Sequence, residues 1–343
     1  FGVATVFVLY KFLKEAVGTY PALCASMLYA SAPLIVRYSR SSWNPNPLPF
    51  FSLLLMYFLF KGVKSHKLKY FLGAGACFGV AIQLHYLAAV LLILALIIAV
   101  TTLSVKNLLK AIFAGSAGFL ITFSPFLLFE VIHNFPNFRT ILEFVSRGST
   151  VGVQNSNLFW LLANTGNILL EYIAQTKGTP YTLAVFWLLT ISSIYSLILI
   201  RKNPEKKAPF IISIVWFLGG LAALKLYTGQ INDYYFNFMF PAPFFALGIL
   251  LSLIWKNKAL RTAGVLLVGV IFFYFLNNSF LKSPPNSLID QTEEIADFII
   301  EKTDNQPYNF ALISNSNSDH AYRYFLEIKG HKPTKLEDMV TNQ

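Results

Sequence analysis

The feature that most restricts this chain is a succession of apolar runs separated by short polar turns. The runs fall at 1–13, 17–36, 48–60, 71–84, 86–104, 111–129, 181–200, 210–224, 236–255 and 262–276. A bilayer core about 30 Å thick takes about 20 helical residues, fewer where a helix is short or broken. The first run is therefore a partial span, and 48–60 and 71–84 are short ones. Inside lipid the backbone must satisfy its own N–H and C=O groups, so runs of this kind are helices. Composition points the same way: 55% of the 343 residues are apolar and 13% charged, against about 25% charged in a soluble domain. One soluble core could not hide that much apolar surface. The expected fold is all-α and polytopic, with about ten transmembrane helices.

The net charge of +11 does not imply a nucleic-acid partner, because the basic residues sit in short clusters between apolar runs. One set of turns carries Lys11 and Lys14; Lys61, Lys64, Lys67 and Lys69; Lys106 and Lys110; Arg201, Lys202, Lys206 and Lys207; Lys256, Lys258 and Arg261. The opposite set has longer turns yet holds only Arg37, Arg40, Arg139, Arg147, Lys177 and Lys225. By the positive-inside rule the first set is cytoplasmic. The longer turns and the tail then face outward, across a plasma or inner membrane. Cys24 and Cys77 lie within apolar runs and read as packing residues.

Segment 158–174 is apolar but holds Asn164, Asn167 and Glu171, and treating it as a span would invert everything after it. It reads as a helix lying in the interface. Phe138, Ile141, Leu142 and Val145 recur at helical spacing before Gly148, which predicts a second interfacial helix. Loop 130–180 is thus expected to hug the outer membrane face. The division into domains follows: 1–276 in the membrane, 277–343 outside it. In the tail, Ser287 and Asp290 resemble a capping box. Leu288, Thr292, Ile295, Ile299 and Ile300 form one helical face, 310–314 reads as a strand and 320–329 as a helix, together a small α/β module.

Away from their ends the spans hold essentially no Asp, Glu, Lys or Arg. Ion-coupled transporters keep such groups near the midplane, so their scarcity weighs against transport. Polarity gathers at the outward ends instead, in four turns. The first runs from Arg37 through Arg40, Trp43 and Asn44 to Pro47. Its arginines can grip a phosphate or simply snorkel. The second holds Gln83 and His85, for ligand binding or local hydrogen bonding. The third holds Glu130 and His133 after Pro125, where a carboxylate serves as a base or as a cap. The fourth runs from Lys225 to Asp233, Tyr234 and Tyr235, then Pro241. Its tyrosines suit an interfacial belt, but a belt does not require Asp233. Metal-ligand spacings, glycine-rich phosphate loops and nucleophile elbows are missing.

This layout resembles the GT-C superfamily of membrane glycosyltransferases, closest to family 39 and its bacterial relatives, the protein mannosyltransferases and aminoarabinose transferases. The residues that carry the resemblance are the outer loop from Arg37 to Pro47 and the late loop Asp233-Tyr234-Tyr235 followed by Pro241. It implies a polyprenyl-phosphate sugar donor and transfer, with inversion, to a lipid, glycan or protein acceptor on the outer face. Arg37, Arg40 and Lys225 suit the departing phosphate, and Asp233 or Glu130 the acceptor proton. Asn44, Gln83, His85, His133, Tyr234 and Tyr235 suit substrate contact. No cofactor follows from the residues, although the chemistry admits a divalent cation. In such enzymes the principal acid lies between the first two helices. The chain begins at Phe1 inside an apolar stretch, so that acid is expected upstream of Phe1. Where relatives carry an acid after the arginine, this chain has Asn44. A flippase for lipid-linked sugars and a non-catalytic partner of glycan enzymes are the alternatives.

Overall fold

The computed structural model describes residues 1–146, 158–176, 180–200, 206–224, 231–304, 306–313 and 318–334. Among the described residues the chain is helical and has no strand. In chain order the helices are α1 Gly2–Val17, α2 Thr19–Ser31, α3 Pro33–Ser39, α4 Leu48–Ser65, α5 Leu68–Leu84, α6 Ala89–Thr102, α7 Val105–Ile132 and α8 Pro136–Ser146. They continue with α9 Leu158–Ala174, α10 Pro180–Ile200, α11 Lys207–Ile214, α12 Gly220–Ala223, α13 Ala242–Ile254, α14 Lys258–Asn277, α15 Leu288–Thr303 and α16 His320–Ile328. Each apolar run of the sequence falls on helix. Among the described residues, however, four helices are long and apolar enough to cross a membrane, or up to six if two bent pairs count as single spans. Leu68–Leu84, Tyr86–Thr102 and Lys207–Ala223 are apolar but shorter, and α1 carries Lys11, Lys14 and Glu15 in its second half. About ten full-length crossings are therefore not established.

Both bends have a proline at the break. The α2–α3 pair bends by 64° before Pro33, because a residue preceding proline is pushed out of the helical region. The 3₁₀ stretch Asp233–Met239 meets α13 at 51° beside Pro241. Arg37 lies on the short helix that follows the first break, and Asp233 opens the 3₁₀ stretch that precedes the second.

The large side chains on the outside of α7, α10 and α14 are apolar: Phe113 is 78% exposed, Leu266 65% and Phe273 70%. That suits a lipid surrounding. In lipid, helices associate by packing and small-residue contact rather than by escape from water. On α5 and α7, a Cβ added at Gly75 would lie 1.8 Å from the Gly115 carbonyl oxygen, and one at Gly118 1.9 Å from that of Leu72. Thr122 Oγ1 donates to the Ala76 carbonyl across the same seam at 3.0 Å. The interior is aromatic, with Phe12 packed on Tyr57, Phe60 and Phe245 at centroid distances of 5.3, 5.2 and 4.5 Å.

Helix α4 orients the bundle. Its 18 residues span about 27 Å at 1.5 Å per residue. Lys61 near its C-terminus pairs with Glu15 at 2.8 Å, and Tyr57 donates to the same carboxylate at 2.6 Å. The turn 41–47 leads into its N-terminus. The lysine-rich turn after α4 and the Arg37–Arg40 turn thus lie at opposite ends, as the charge alternation requires.

Helices α8 and α9 form where the periodicity places them; Gly148, the expected stop, lies outside the described residues. Leu142 of α8 is 69% exposed. Helix α9 is packed against the bundle, with Leu169 and Ile173 buried, Asn167 donating to Glu171 and accepting from Thr182.

Residues Ser283–Gln343 form a compact unit of their own. Ala296 of α15 and Leu326 of α16 are fully buried, and Lys329 ties the two helices by pairing with Asp297 and Glu293 at 2.6 and 2.9 Å. Three expectations are corrected here. Residues 310–313 form no strand: Phe310 gives its carbonyl to Arg323, and Thr334 N–H donates to the neighbouring Tyr308 carbonyl at 2.9 Å with no strand ladder among the described residues. Ser287 makes no side-chain cap because its backbone is left-handed (φ 43°); Asn286 Oδ1 instead accepts from Leu288 N–H at 3.4 Å. Leu288 and Ile295 are exposed, and Ala296 replaces them at the buried centre of the face.

Candidate functional site

The first and fourth turns form one structure. Tyr38, between the two arginines, donates its hydroxyl to Asp233 Oδ1 at 2.7 Å. Asn237 Nδ2 donates to the Pro45 carbonyl at 3.2 Å. Trp43 meets Tyr234 edge-on at 4.8 Å, and Tyr38 stacks between Trp43 and Phe240 at 6.4 and 6.0 Å. Asn46 closes the arginine turn by donating to the carbonyls of Tyr38 and Ser41 at 2.9 and 2.8 Å. Beneath it, the π-helical turn Val215–Gly219 aims Trp216 Nε1 at the Phe238 carbonyl, 3.1 Å away. Such single π-turns reorient one side chain within a helix.

Asp233 Oδ1 also accepts its own turn's Tyr234 N–H at 2.8 Å. Its Oδ2 has no hydrogen-bond partner among the described residues. One oxygen is thus fixed and the other is left for a ligand. Arg37 and Arg40 are exposed and pair with no carboxylate among the described residues; the Arg37 guanidinium sits 5.6 Å over the Phe280 ring.

The second turn joins this assembly. His85 packs against Tyr234 and Tyr235, with ring centroids 5.8 Å from each. Its Nδ1 accepts Leu87 N–H at 3.2 Å, which leaves the proton of a neutral ring on Nε2. Burial lowers the His85 pKa below the ordinary 6.5. Tyr172 of α9 donates to the Ile231 carbonyl at 3.1 Å. Burial first, then the Asp233 and Glu171 carboxylates, push the Tyr172 phenol up.

The third turn is linked more loosely, by Tyr86 OH to Asn137 Oδ1 at 3.4 Å. Glu130 is fully buried. Its carboxylate accepts Asn137 Nδ2 at 2.5 Å and the backbone N–H groups of Asn137 and Phe138 at 3.4 and 3.2 Å. Those N–H groups open α8, so Glu130 sits where a helix terminus prefers a negative charge. Left-handed Asn134 and Phe135 (φ 60° and 58°) fold the chain back to place them there.

The remaining sequence candidates are dispersed. Gln83 donates to the Gly79 and Thr122 carbonyls and so binds α5 to α7. His133 is exposed and stacks on Phe129 of its own helix at 4.2 Å. Asn44 is exposed at the tip of the arginine turn. Lys225 lies outside the described residues. Conversely, Tyr38, Trp43, Asn46, Asn237 and Tyr172 hold the assembly together without standing out in the sequence; only the proximity of Tyr38 to the arginines hints at its place.

Beside the arginine turn lies a cavity of about 270 Å³, reached by Tyr29, Tyr38, Ser39, Ser42, Trp43 and Asn46 among others. Among the described residues no group of three or more His, Cys, Asp or Glu could hold a metal ion. Two guanidinium groups with no carboxylate partner among the described residues, and a carboxylate with one open oxygen, can bind an anionic group and move a proton beside it.

Residues 1–129 match the family described as dolichyl-phosphate-mannose-protein mannosyltransferase. The crystal structure of the Archaeoglobus fulgidus oligosaccharyltransferase, in complex with Zn and sulfate, is similar at TM-score 0.46 and 16% identity, covering 97% of this chain. This chain spans 49%, about half, of that protein's length. No curated protein matches. The likeness to that family of mannosyltransferases thus lies in the first 129 of the 343 residues.

Proposed function

We propose that this multi-pass membrane protein is a glycosyltransferase that moves a sugar from a polyprenyl-phosphate donor to a lipid, glycan or protein acceptor on the extracytoplasmic face of a plasma or inner membrane. The observation that carries the reading is the bond from Tyr38 to Asp233, which sets a carboxylate beside a turn whose two arginines have no carboxylate partner among the described residues.

In this mechanism Arg37 and Arg40, with Lys225, hold the donor phosphate and stabilise the charge it gains as it departs. An acceptor hydroxyl attacks the anomeric carbon from the opposite side. Its oxygen bonds to that carbon, the bond from carbon to phosphate oxygen breaks with its electron pair, and the proton passes to Asp233 Oδ2. General-base help of this kind is worth about 10²–10⁴-fold. Glu130 serves α8 as its cap. A divalent cation on the phosphate would need ligands beyond those the described residues group together. The outward placement rests on the alternation of basic turns.

The test is transfer from labelled polyprenyl-phosphate sugars by the full-length protein in liposomes, across a broad acceptor panel. Transfer that is lost in Asp233→Asn is the expected result. Unchanged transfer in that variant, or no transfer to any acceptor, would overturn the proposal.

A further inference from the structure

A second cavity, of about 280 Å³, lies between α4, α5, α6 and α7, toward the lysine-rich end of the bundle and away from the arginine turn. Its lining on α5 runs from Phe71 to Phe78, and on α6 from Leu92 to Ala99. At 1.5 Å per residue both stretches lie about 5 to 15 Å from the helix ends that meet the lysine-rich turns. Small residues make the space: Ala74, Gly75, Ala95, Ala99, Ala111 and Gly115 all line it. Glycine contacts hold α7 against α5, while α6 packs chiefly on α4, α11 and the π-helical turn. A cleft is left between α6 and α7. Leu92, Leu96 and Ile112 in its wall are exposed, so it opens sideways, toward lipid. Ser116 is its one polar side chain.

The charge left over at that end is cationic. The turn from α4 to α5 and the start of α7 carry Lys64, Lys67, Lys69, Lys106 and Lys110. All five are exposed and none pairs with a carboxylate among the described residues, since Glu15 is taken by Lys61. We infer that the cleft seats an acyl chain of an anionic phospholipid from the cytoplasmic leaflet, with the headgroup phosphate among these lysines. Inside a bilayer the chain gains close van der Waals contact with the cleft walls rather than escape from water. The lysines choose the headgroup, because a cluster of roughly four to eight basic residues at the cytoplasmic membrane surface attracts anionic lipid. A zwitterionic lipid offers the same chain without the net charge. A polyprenyl tail is the other hydrocarbon within reach, but its phosphate belongs at the arginine turn, at the far end of α4. The inference does not depend on sugar transfer.

Native mass spectrometry of the delipidated full-length protein tests this, with titrations of phosphatidylglycerol, phosphatidylcholine of the same acyl chains, and bare polyprenyl phosphate. One phosphatidylglycerol is expected to bind about tenfold more tightly than phosphatidylcholine. Ala95→Phe, which fills the cleft from α6, should remove that tight site. Lys106→Gln combined with Lys110→Gln should cut the preference to about threefold or less and leave phosphatidylcholine binding unchanged. Both lysines are exposed, so the double variant keeps the test alive if Ala95→Phe misfolds. Equal binding of the two phospholipids, or a preference indifferent to either folded variant, overturns the proposal. Displacement of phosphatidylglycerol by polyprenyl phosphate also overturns it, by giving the cleft to a polyprenyl tail.

Discussion

The Tyr38 hydroxyl and Asp233 Oδ1 are 2.7 Å apart although 195 residues separate them in the chain, so the arginine turn and the acidic turn hold each other's geometry. A hydrogen bond to a charged group contributes about 1.5–3 kcal/mol. Tyr38→Phe keeps the stack with Trp43 and Phe240 and removes only that bond. Transfer should fall about tenfold or more, mainly in kcat, with donor affinity little changed. Steady-state kinetics with varied donor checks this; an unaltered kcat would separate Tyr38 from Asp233's role.

Arg37 and Arg40 should differ from Tyr38 in the opposite sense. Each has no carboxylate partner among the described residues, so replacing it by Gln strands no buried charge. The loss appears where a phosphate binds. Arg37→Gln and Arg40→Gln should each weaken polyprenyl-phosphate binding about tenfold or more, with a shallower dependence on salt. Titration of bare polyprenyl phosphate at two ionic strengths reads both effects.

Glu130→Gln separates a cap from a base. The carboxylate meets the opening N–H groups of α8, and loss of such a cap costs about 0.5–2 kcal/mol. The variant should lower the thermal unfolding midpoint in detergent while kcat stays within about twofold of the parent, since 1.4 kcal/mol of barrier would be a tenfold change. A kcat loss of a hundredfold at unchanged stability would restore Glu130 as a base.

How much of this was legible in the sequence depends on the range of the interaction. Apolar runs and basic turns report local preferences, and every run became helix. Pro33 and Pro241 sit at the two breaks, since proline acts on its immediate neighbours, although 17–36 reads as one run in the sequence. Span counting was less faithful, because whether a 14- to 17-residue helix crosses depends on neighbours and tilt that periodicity does not encode. The four turns were identifiable by their polarity, yet nothing local told that Tyr38 would reach Asp233, that Asn237 would hold Pro45, or that His133 would fold back on Phe129. The tail failed locally instead: Ser287 fits the capping pattern, but its left-handed backbone passes the cap to Asn286.

The pH dependence of the site should come from His85. An unfolded histidine titrates near 6.5, and burial against Tyr234 and Tyr235 lowers that value in the folded protein. Below 6.5 the unfolded chain therefore binds the proton more readily than the folded one. The stabilisation is complete above about pH 6.5 and declines as pH falls from there through the folded-state pKa. His85→Asn preserves an acceptor for Leu87 N–H, since Asn is itself a good helix cap, but removes the titrating ring. Thermal unfolding midpoints followed from pH 7.5 to 5.5 should fall more steeply for the parent than for the variant. Parallel curves would place the acid sensitivity elsewhere in the molecule.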